Sequence, residues 1–509
     1  MNIKRAKEEI KDSIESYLLK DEYGRYVIPV ESQRPLLIMG PPGIGKTAVM
    51  RQIASQCGIG LVAYTITHHT RQSAIGLPFI EEDTFDGEKY SVTEYTMSEI
   101  VAAVYKKIKE TGIKEGILFI DEINCASETL APAMLQFLQY KTFGSHQIPD
   151  GWIIAAAGNP PEYNKSVREF DIVTLDRVKK IDVEEDYGVW KEYAVKENVH
   201  NAIISYLDIK KENFYCVKNT ADGKVFQTAR GWEDLSRLMY VYETLSKETD
   251  FDVVYQYIQN KSVAKDFAAY IELYNKYKKD YSIPEILEGG FKSIYTDRLR
   301  TAGFDERLSV VELILGALND CFKKVDFADN VLTLLQSTLK ELKSRLLSQY
   351  CAIRHPQEIT EPFFAMKQAA FDKKCKNGTI EKRDIAYERK MLEICDYFML
   401  EVKKRGETSC AGAFEIINSL FKTEVEKRQQ LIDDTSEKLD NAFGFMEMVF
   451  GHSAEMIVFV TELNSGYYSI KFIDENGCTK FYQYNRDLLY KERQKNIIND
   501  IDDLRDMLW

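Results

Sequence analysis

Apolar positions along this 509-residue chain fall into two regimes. In the first third, short and nearly continuous apolar runs recur: Leu36–Met39, Leu61–Ile66, Gly116–Ile120, Gly151–Ala157 and Val178–Val183. Runs of this length with turn residues at their ends predict strands buried on both faces. Between them, residues 3–20, Ala48–Ala54, Ser98–Ile108 and Glu128–Gln139 carry apolar side chains three and four apart and predict helices. The expected core is therefore an α/β layer structure with a parallel sheet. Three hairpins are also expected. Phe79-Ile80 and Tyr90–Val92 flank Asp86-Gly87, and short extended pieces within Lys141–Pro149 flank Gly144. Phe214–Val217 and Lys224–Phe226 flank Ala221-Asp222-Gly223.

After Glu184 the pattern turns helical, at 190–197, 202–207 and Trp232–Leu245. Beyond residue 300, long helical stripes predict a bundle or coiled-coil arm at Leu308–Phe322, Val331–Tyr350, Thr379–Arg405 and Phe414–Phe450. Leu334, Leu335, Leu339, Leu342 and Leu346 lie along one such stripe, which reads as core. The last segment changes character. Met456–Val460, Tyr467–Ile473 and Lys480–Tyr484 read as strands, separated by Asn464-Ser465-Gly466 and Glu475-Asn476-Gly477 and closed by a helix over Arg486–Met507. Four domains follow: a core at 1–185, a helical lid at 186–300, a helical region at 301–450 and a small α+β tail at 451–509.

Composition narrows the setting. Hydrophobic content of 45% supports real cores, and a formal net charge of −13 argues against nucleic-acid binding through bulk charge. Nine dispersed cysteines without a C-x-x-C spacing read as reduced thiols, and the six histidines do not cluster as zinc ligands would. Met1–Arg5 runs into an amphipathic helix rather than an apolar signal core, and no stretch is long enough to span a membrane. These features predict a soluble, cytoplasmic protein.

The chemistry centres on Gly40-Pro41-Pro42-Gly43-Ile44-Gly45-Lys46-Thr47. It fits G-x-x-x-x-G-K-[ST], with an apolar strand before it and a helix after it, as a P-loop requires. Glycines let backbone N–H groups curl around phosphate oxygens, and the helix N-terminus adds partial positive charge. Lys46 is placed to reach the β- and γ-phosphates, and the Thr47 hydroxyl to ligate Mg²⁺. Downstream, the apolar run over Gly116–Ile120 ends in Asp121-Glu122. Asp121 suits Mg²⁺, and Glu122 suits polarising the attacking water. Elsewhere, His68 and His69 at a strand end read as ordinary loop residues. Tyr274, Lys276, Tyr277, Lys278 and Lys279 could grip a nucleic-acid strand, but a solvated helix face is the plainer reading.

In this order the motifs resemble those of AAA+ ATPases, and within them the MoxR-like branch, a dynein-related AAA_5-type module. The residues are the P-loop, Asp121-Glu122-Ile123-Asn124, Ala155–Pro161, Leu175-Asp176-Arg177-Val178 and Thr228-Ala229-Arg230-Gly231. They cover roughly the first half of the chain. The resemblance implies a three-layer P-loop core with a helical lid, and ATP contacts along Gly40, Pro41, Pro42, Gly43, Ile44, Gly45, Lys46, Thr47 and Ala48. It implies that Asn159 is sensor 1, Arg230 is sensor 2 acting in cis, and Arg177 is the arginine finger acting on a neighbouring subunit, with Arg168 the other candidate. The hairpin around Asp86-Gly87 resembles the branch's helix-2 insert, and that around Gly144 its pre-sensor-1 hairpin. A trans-acting arginine implies a ring, usually a hexamer, driving ATP- and Mg²⁺-dependent remodelling of a client protein. The branch's clients often carry a von Willebrand factor A domain. This chain has no D-x-S-x-S motif, so such a partner would be a separate polypeptide. Two other classes stay open. One is a GTP-using motor like that of McrB-type restriction systems, although no guanine-reading motif or DNA-binding domain is legible. The other is a switch whose nucleotide state is itself the signal.

Overall fold

The computed structural model describes residues 1–68, 72, 74, 76–85, 88–143, 146–163, 167, 170–220, 223–346, 355–377 and 380–486. The chain forms two compact units. The first comprises Met1–Trp190, Phe214–Trp232 and Ala370–Ile385, and the second comprises Lys191–Asn213, Glu233–Ala369 and Ala386–Trp509.

The first unit opens with α1 (Ile3–Leu18), whose N-cap Asn2 side chain accepts from the Arg5 amide at 3.0 Å. Then come β1 (Leu36–Met39), α2 (Lys46–Cys57), β2 (Gly60–Thr65), β3 (Pro78–Phe85), β4 (Glu88–Tyr95), α3 (Glu99–Thr111) and β5 (Gly116–Asp121). They are followed by α4 (Ala131–Tyr140), β6 (Thr142–Phe143), β7 (His146–Gln147), β8 (Trp152–Gly158), α5 (Ile172–Arg177) and β9 (Lys179–Asp182). Five strands form one parallel sheet in the order β2-β5-β8-β1-β9. All five expected core strands are present.

Alternate residues of these strands enter two separate cores. Leu37, Leu118, Ile120, Ile154 and Ala156 pack with Val101 and Val104 of α3 and Met134 and Phe137 of α4. Leu36, Ile38, Ile117, Phe119, Ile153 and Ala155 pack with Ile10 and Ile14 of α1 and Met50 and Ile53 of α2. A sheet with apolar residues on both faces is stable only between two helical layers, which is the three-layer arrangement expected. Topology also fixes the site. The sheet order places the ends of β1, β5 and β8 side by side, so the loops after them share one edge.

The hairpins also form. β3 pairs with β4, β6 with β7, and β10 (Cys216–Thr220) with β11 (Gly223–Gln227), each antiparallel. Asp86-Gly87, Gly144-Ser145 and Ala221-Asp222 at their tips lie outside the described residues.

The remaining elements are helical: α6 (Tyr187–Lys196), α7 (Asn201–Ile209), α8 (Ala229–Thr244), α9 (Phe251–Tyr257), α10 (Lys261–Asp280), α11 (Ile283–Leu287) and α12 (Ser293–Thr301). They continue with α13 (Phe304–Leu346), α14 (Pro356–Asn377), α15 (Lys382–Lys404), α16 (Cys410–Phe450), α17 (Ala454–Ser465) and α18 (Tyr467–Asn476). The two stripes expected at 308–322 and 331–350 join into the single α13, because no Gly or Pro interrupts the residues between them. α14 has no counterpart among the expected elements. Pro356 opens it and Pro362 lies inside it, which hides a helix whose buried side is Phe363, Phe364 and Phe371.

One expectation is overturned. The C-terminal segments assigned to strands of a small α+β tail are helices: α17 contains 456–460, α18 contains 467–473, and 479–486 is helical as well. Met456, Phe459, Val460 and Leu463 bury one stripe at three- and four-residue spacing, and Tyr468, Phe472 and Ile473 bury another. Phe472 lies 5.0 Å from Phe322 between ring centroids, and Phe459 lies 5.1 Å from Phe443. Burial against α13 and α16 overrides the β-propensity of these aromatic and branched residues. The glycine signals read as hairpin turns are helix ends. Gly477 has φ +80° and its amide donates to Ile473 O at 2.8 Å, closing α18. The closing helix expected to run to Met507 lies, beyond Arg486, outside the described residues.

Candidate active site

The loop between β1 and α2 is built for close approach to an anion. Gly43 and Gly45 hold φ of +79° and +94°, and Gly45 is the N-cap of α2. Left-handed backbone here turns successive N–H groups inward without a Cβ penalty. Lys46, the first residue of α2, is buried. Its ammonium donates to Gly40 O at 2.7 Å, Pro41 O at 2.8 Å and Asn159 Oδ1 at 2.8 Å. Burial lowers its pKa to about 8. Asp121 and Glu122 oppose that shift, and Arg230 adds to it. A buried ammonium surrounded by oxygen acceptors, on a glycine loop at a helix N-terminus, fits phosphate oxygens in place of those carbonyls.

The acidic pair stands at the end of β5. Thr47 Oγ1 donates to Asp121 Oδ2 at 2.7 Å, and the other carboxylate oxygen accepts the Glu122 amide at 3.0 Å. A hydroxyl and a carboxylate oxygen already in contact form a hard-oxygen pair suited to Mg²⁺. Glu122 has φ +57°, unusual for a residue with a Cβ. The strand therefore breaks sharply there, into a 3-10 turn over Ile123–Cys125. On the adjacent strand β8 the chain runs through Gly158 to Asn159, whose side chain meets Lys46. The structure thus brings Lys46, Thr47, Asp121, Glu122 and Asn159 to one edge of the sheet.

A later segment of the same unit covers the loop. Thr228 Oγ1 accepts the Gly231 amide at 3.2 Å, capping α8, and Arg230 lies exposed in its first turn. A Cβ on Gly43 would lie 3.1 Å from Thr228 Cβ, so the glycine lets the two segments touch. The Tyr215 hydroxyl donates to Pro42 O at 2.8 Å, and burial pushes its pKa up. Tyr215 escaped the sequence reading, because a tyrosine at a hairpin start carries no signal for a partner 173 residues away.

Arg177 is placed differently. It ends α5, whose N-cap Asp171 accepts the Thr174 amide at 2.8 Å. Its guanidinium donates to Gln139 Oε1 of α4 at the exposed surface. Ile172 and Val173 on the same short helix are 84% and 57% exposed. The alternative, Arg168, and His69 lie outside the described residues. The basic stretch of α10 is a helix face. Tyr274 is buried and Lys278 pairs with Glu243 at 3.3 Å.

Asn124 closes the motif Asp121-Glu122-Ile123-Asn124, and nothing in the sequence alone marks a role for it. It is buried, and its side-chain amide donates to the Asn159 main-chain oxygen at 2.7 Å.

Among the described residues, no helix is long and apolar enough to cross a membrane. Residues 36–175 match the family model for the AAA family, ATPases associated with various cellular activities. That stretch holds the P-loop, Asp121, Glu122 and Asn159, and a domain of this kind implies nucleotide binding and ATP-dependent activity. No curated protein matches the chain.

Proposed function

Proceeding from this AAA-type domain, we propose that the chain is a Mg²⁺-dependent ATPase of the MoxR-like branch, whose subunits form a ring, usually a hexamer, and remodel a partner protein. One observation carries the ATPase reading: the buried Lys46 ammonium and the Thr47–Asp121 pair converge with Glu122 and Asn159 at the end of one sheet edge. Bound MgATP supplies the phosphoryl group and the divalent charge that offsets its negative oxygens. Gly40–Ala48 would cradle the phosphates, with Lys46 as the cation, while Thr47 and Asp121 would hold the metal. Glu122 polarises the attacking water. Asn159 orients that water or the terminal phosphate, and Arg230 reaches the phosphates from the lid helix. Arg177 serves a neighbour's site, a role supported by its exposure at the surface, where it donates to Gln139. The client reading rests on resemblance alone, and it points to a separate protein with a von Willebrand factor A domain.

The Glu122→Gln variant tests both levels. It should bind ATP while turnover falls about a hundredfold or more, because the water loses its base. Used as bait in its native cell, it should retain a von Willebrand factor A protein with ATP and release it without. Unimpaired hydrolysis would remove Glu122 from its role. Nuclease-sensitive retention of nucleic acid would replace the remodelling reading with a McrB-like motor.

A further inference from the structure

A short turn after β5 links the two halves of the site. Glu122 leaves β5 in the left-handed region, and the turn after it closes through Cys125 N to Glu122 O at 2.8 Å. That turn points Asn124 sideways at the neighbouring strand β8. Its Nδ2 donates to Asn159 O at 2.7 Å. Its Oδ1 is buried, and among the described residues it finds no hydrogen-bond partner. The amide fits only because residue 158 is glycine: a Cβ there would lie 2.7 Å from Asn124 Oδ1 and 3.0 Å from its Cγ. Asn159 in turn holds Lys46 through its own side chain at 2.8 Å. A buried carbonyl oxygen without a partner is costly, and a sequence optimised for stability alone would avoid it.

We propose that Asn124 is a positioning residue. It ties the turn carrying Glu122 to the peptide of Asn159, and so fixes the spacing between the group that polarises water and the group that senses the phosphate. It touches neither nucleotide nor water and acts through its two neighbours. The inference rests on the ATPase reading above. Its chemistry is one-sided: Asn159 O needs a donor, which Asn supplies and Ala does not.

The test is a double-mutant cycle on the full chain. Asn124→Ala should lower kcat about tenfold or more while nucleotide affinity stays within about threefold, since binding groups on the P-loop are untouched. In an Asn159→Ala background the same substitution should change kcat less than about twofold, because the side chain whose spacing from Glu122 the bond sets is gone. A purely structural role would instead give losses that multiply across the two sites, and that result overturns the proposal, as does an unchanged kcat in Asn124→Ala. If Asn124→Ala does not fold, Asn124→Leu, close to asparagine in shape and without a donor, replaces it in the same cycle with the same criteria. Wild-type protein that hydrolyses no ATP would overturn this inference together with the ATPase reading. Turnover by wild type with an unaffected Asn124 variant would overturn the inference alone.

Discussion

Glu312 on α13 shows what a single buried charge does to this protein. Within the second unit, Lys191 donates to Asp208 Oδ2 at 2.8 Å and Glu462 Oε2 at 2.5 Å. One ammonium thus serves two carboxylates before Glu312 is counted. Burial holds the Glu312 carboxyl well above the usual carboxylate range, and repulsion from Asp208 and Glu462 adds to that. The unfolded chain ionises Glu312 near the ordinary value of 4.5, while the folded chain keeps the proton to higher pH. Between those values the folded state binds one more proton, so stability falls as pH rises through that window. Glu312→Gln should therefore raise stability by on the order of 1–2 kcal/mol at pH near 8 and change it little near pH 4. Urea denaturation across that range reads the effect, and an equal shift at both ends would contradict it. Lys46 is the opposite case. Its buried charge was legible from its motif, because a P-loop lysine has one place to go. Glu312 was not legible, since nothing in α13 marks one glutamate among many as facing the core.

At the scale of elements, legibility follows how many constraints each residue obeys. β1, β5 and β8 are buried on both faces, so their apolar runs are continuous and tolerate no other reading. Their order in sequence, combined with the P-loop and the acidic pair, also makes the meeting of Lys46, Thr47, Asp121 and Asn159 legible from the chain. The C-terminal helices obey weaker constraints. α17 and α18 are short, rich in aromatic and branched residues, and end in glycine, as hairpin strands do. What separates the two readings is which residues α13 and α16 cover, and that depends on partners far along the chain. Gly477 offers a direct check. At φ +80° and ψ 156° Gly477 holds a backbone conformation open essentially to glycine alone, so Gly477→Ala and Gly477→Asn should each cost about 1 kcal/mol or more. Denaturant midpoints measure this, and equal stability of all three would argue against that glycine-only conformation at the helix end.

At the scale of the whole molecule, the role proposed for Arg177 requires a second copy of the chain. Its guanidinium sits beside exposed Ile172 and Val173 on a helix too short to stand by itself. If it serves a neighbour's nucleotide, Arg177→Ala and Lys46→Ala subunits should each be inactive alone. Mixed in equal amounts, they should recover up to about a quarter of wild-type turnover, the share of sites with both an intact loop and an intact neighbour. No recovery on mixing would place the finger elsewhere.

The first compact unit is not continuous in sequence. Residues 370–385, from the end of α14 to the start of α15, belong to it although more than a hundred residues of the second unit precede them. There the Gln56 side chain at the end of α2 donates to Glu381 Oε1 at 3.3 Å, and Lys107 of α3 donates to Asn377 O at 3.0 Å. The helix that begins with Lys46 is thus braced at its far end by Glu381, encoded more than three hundred residues later. A fragment cut at residue 300 to isolate the catalytic portion would keep every motif yet lose that brace. For this chain, the stretch that holds the motifs is shorter than the stretch that builds the unit around them.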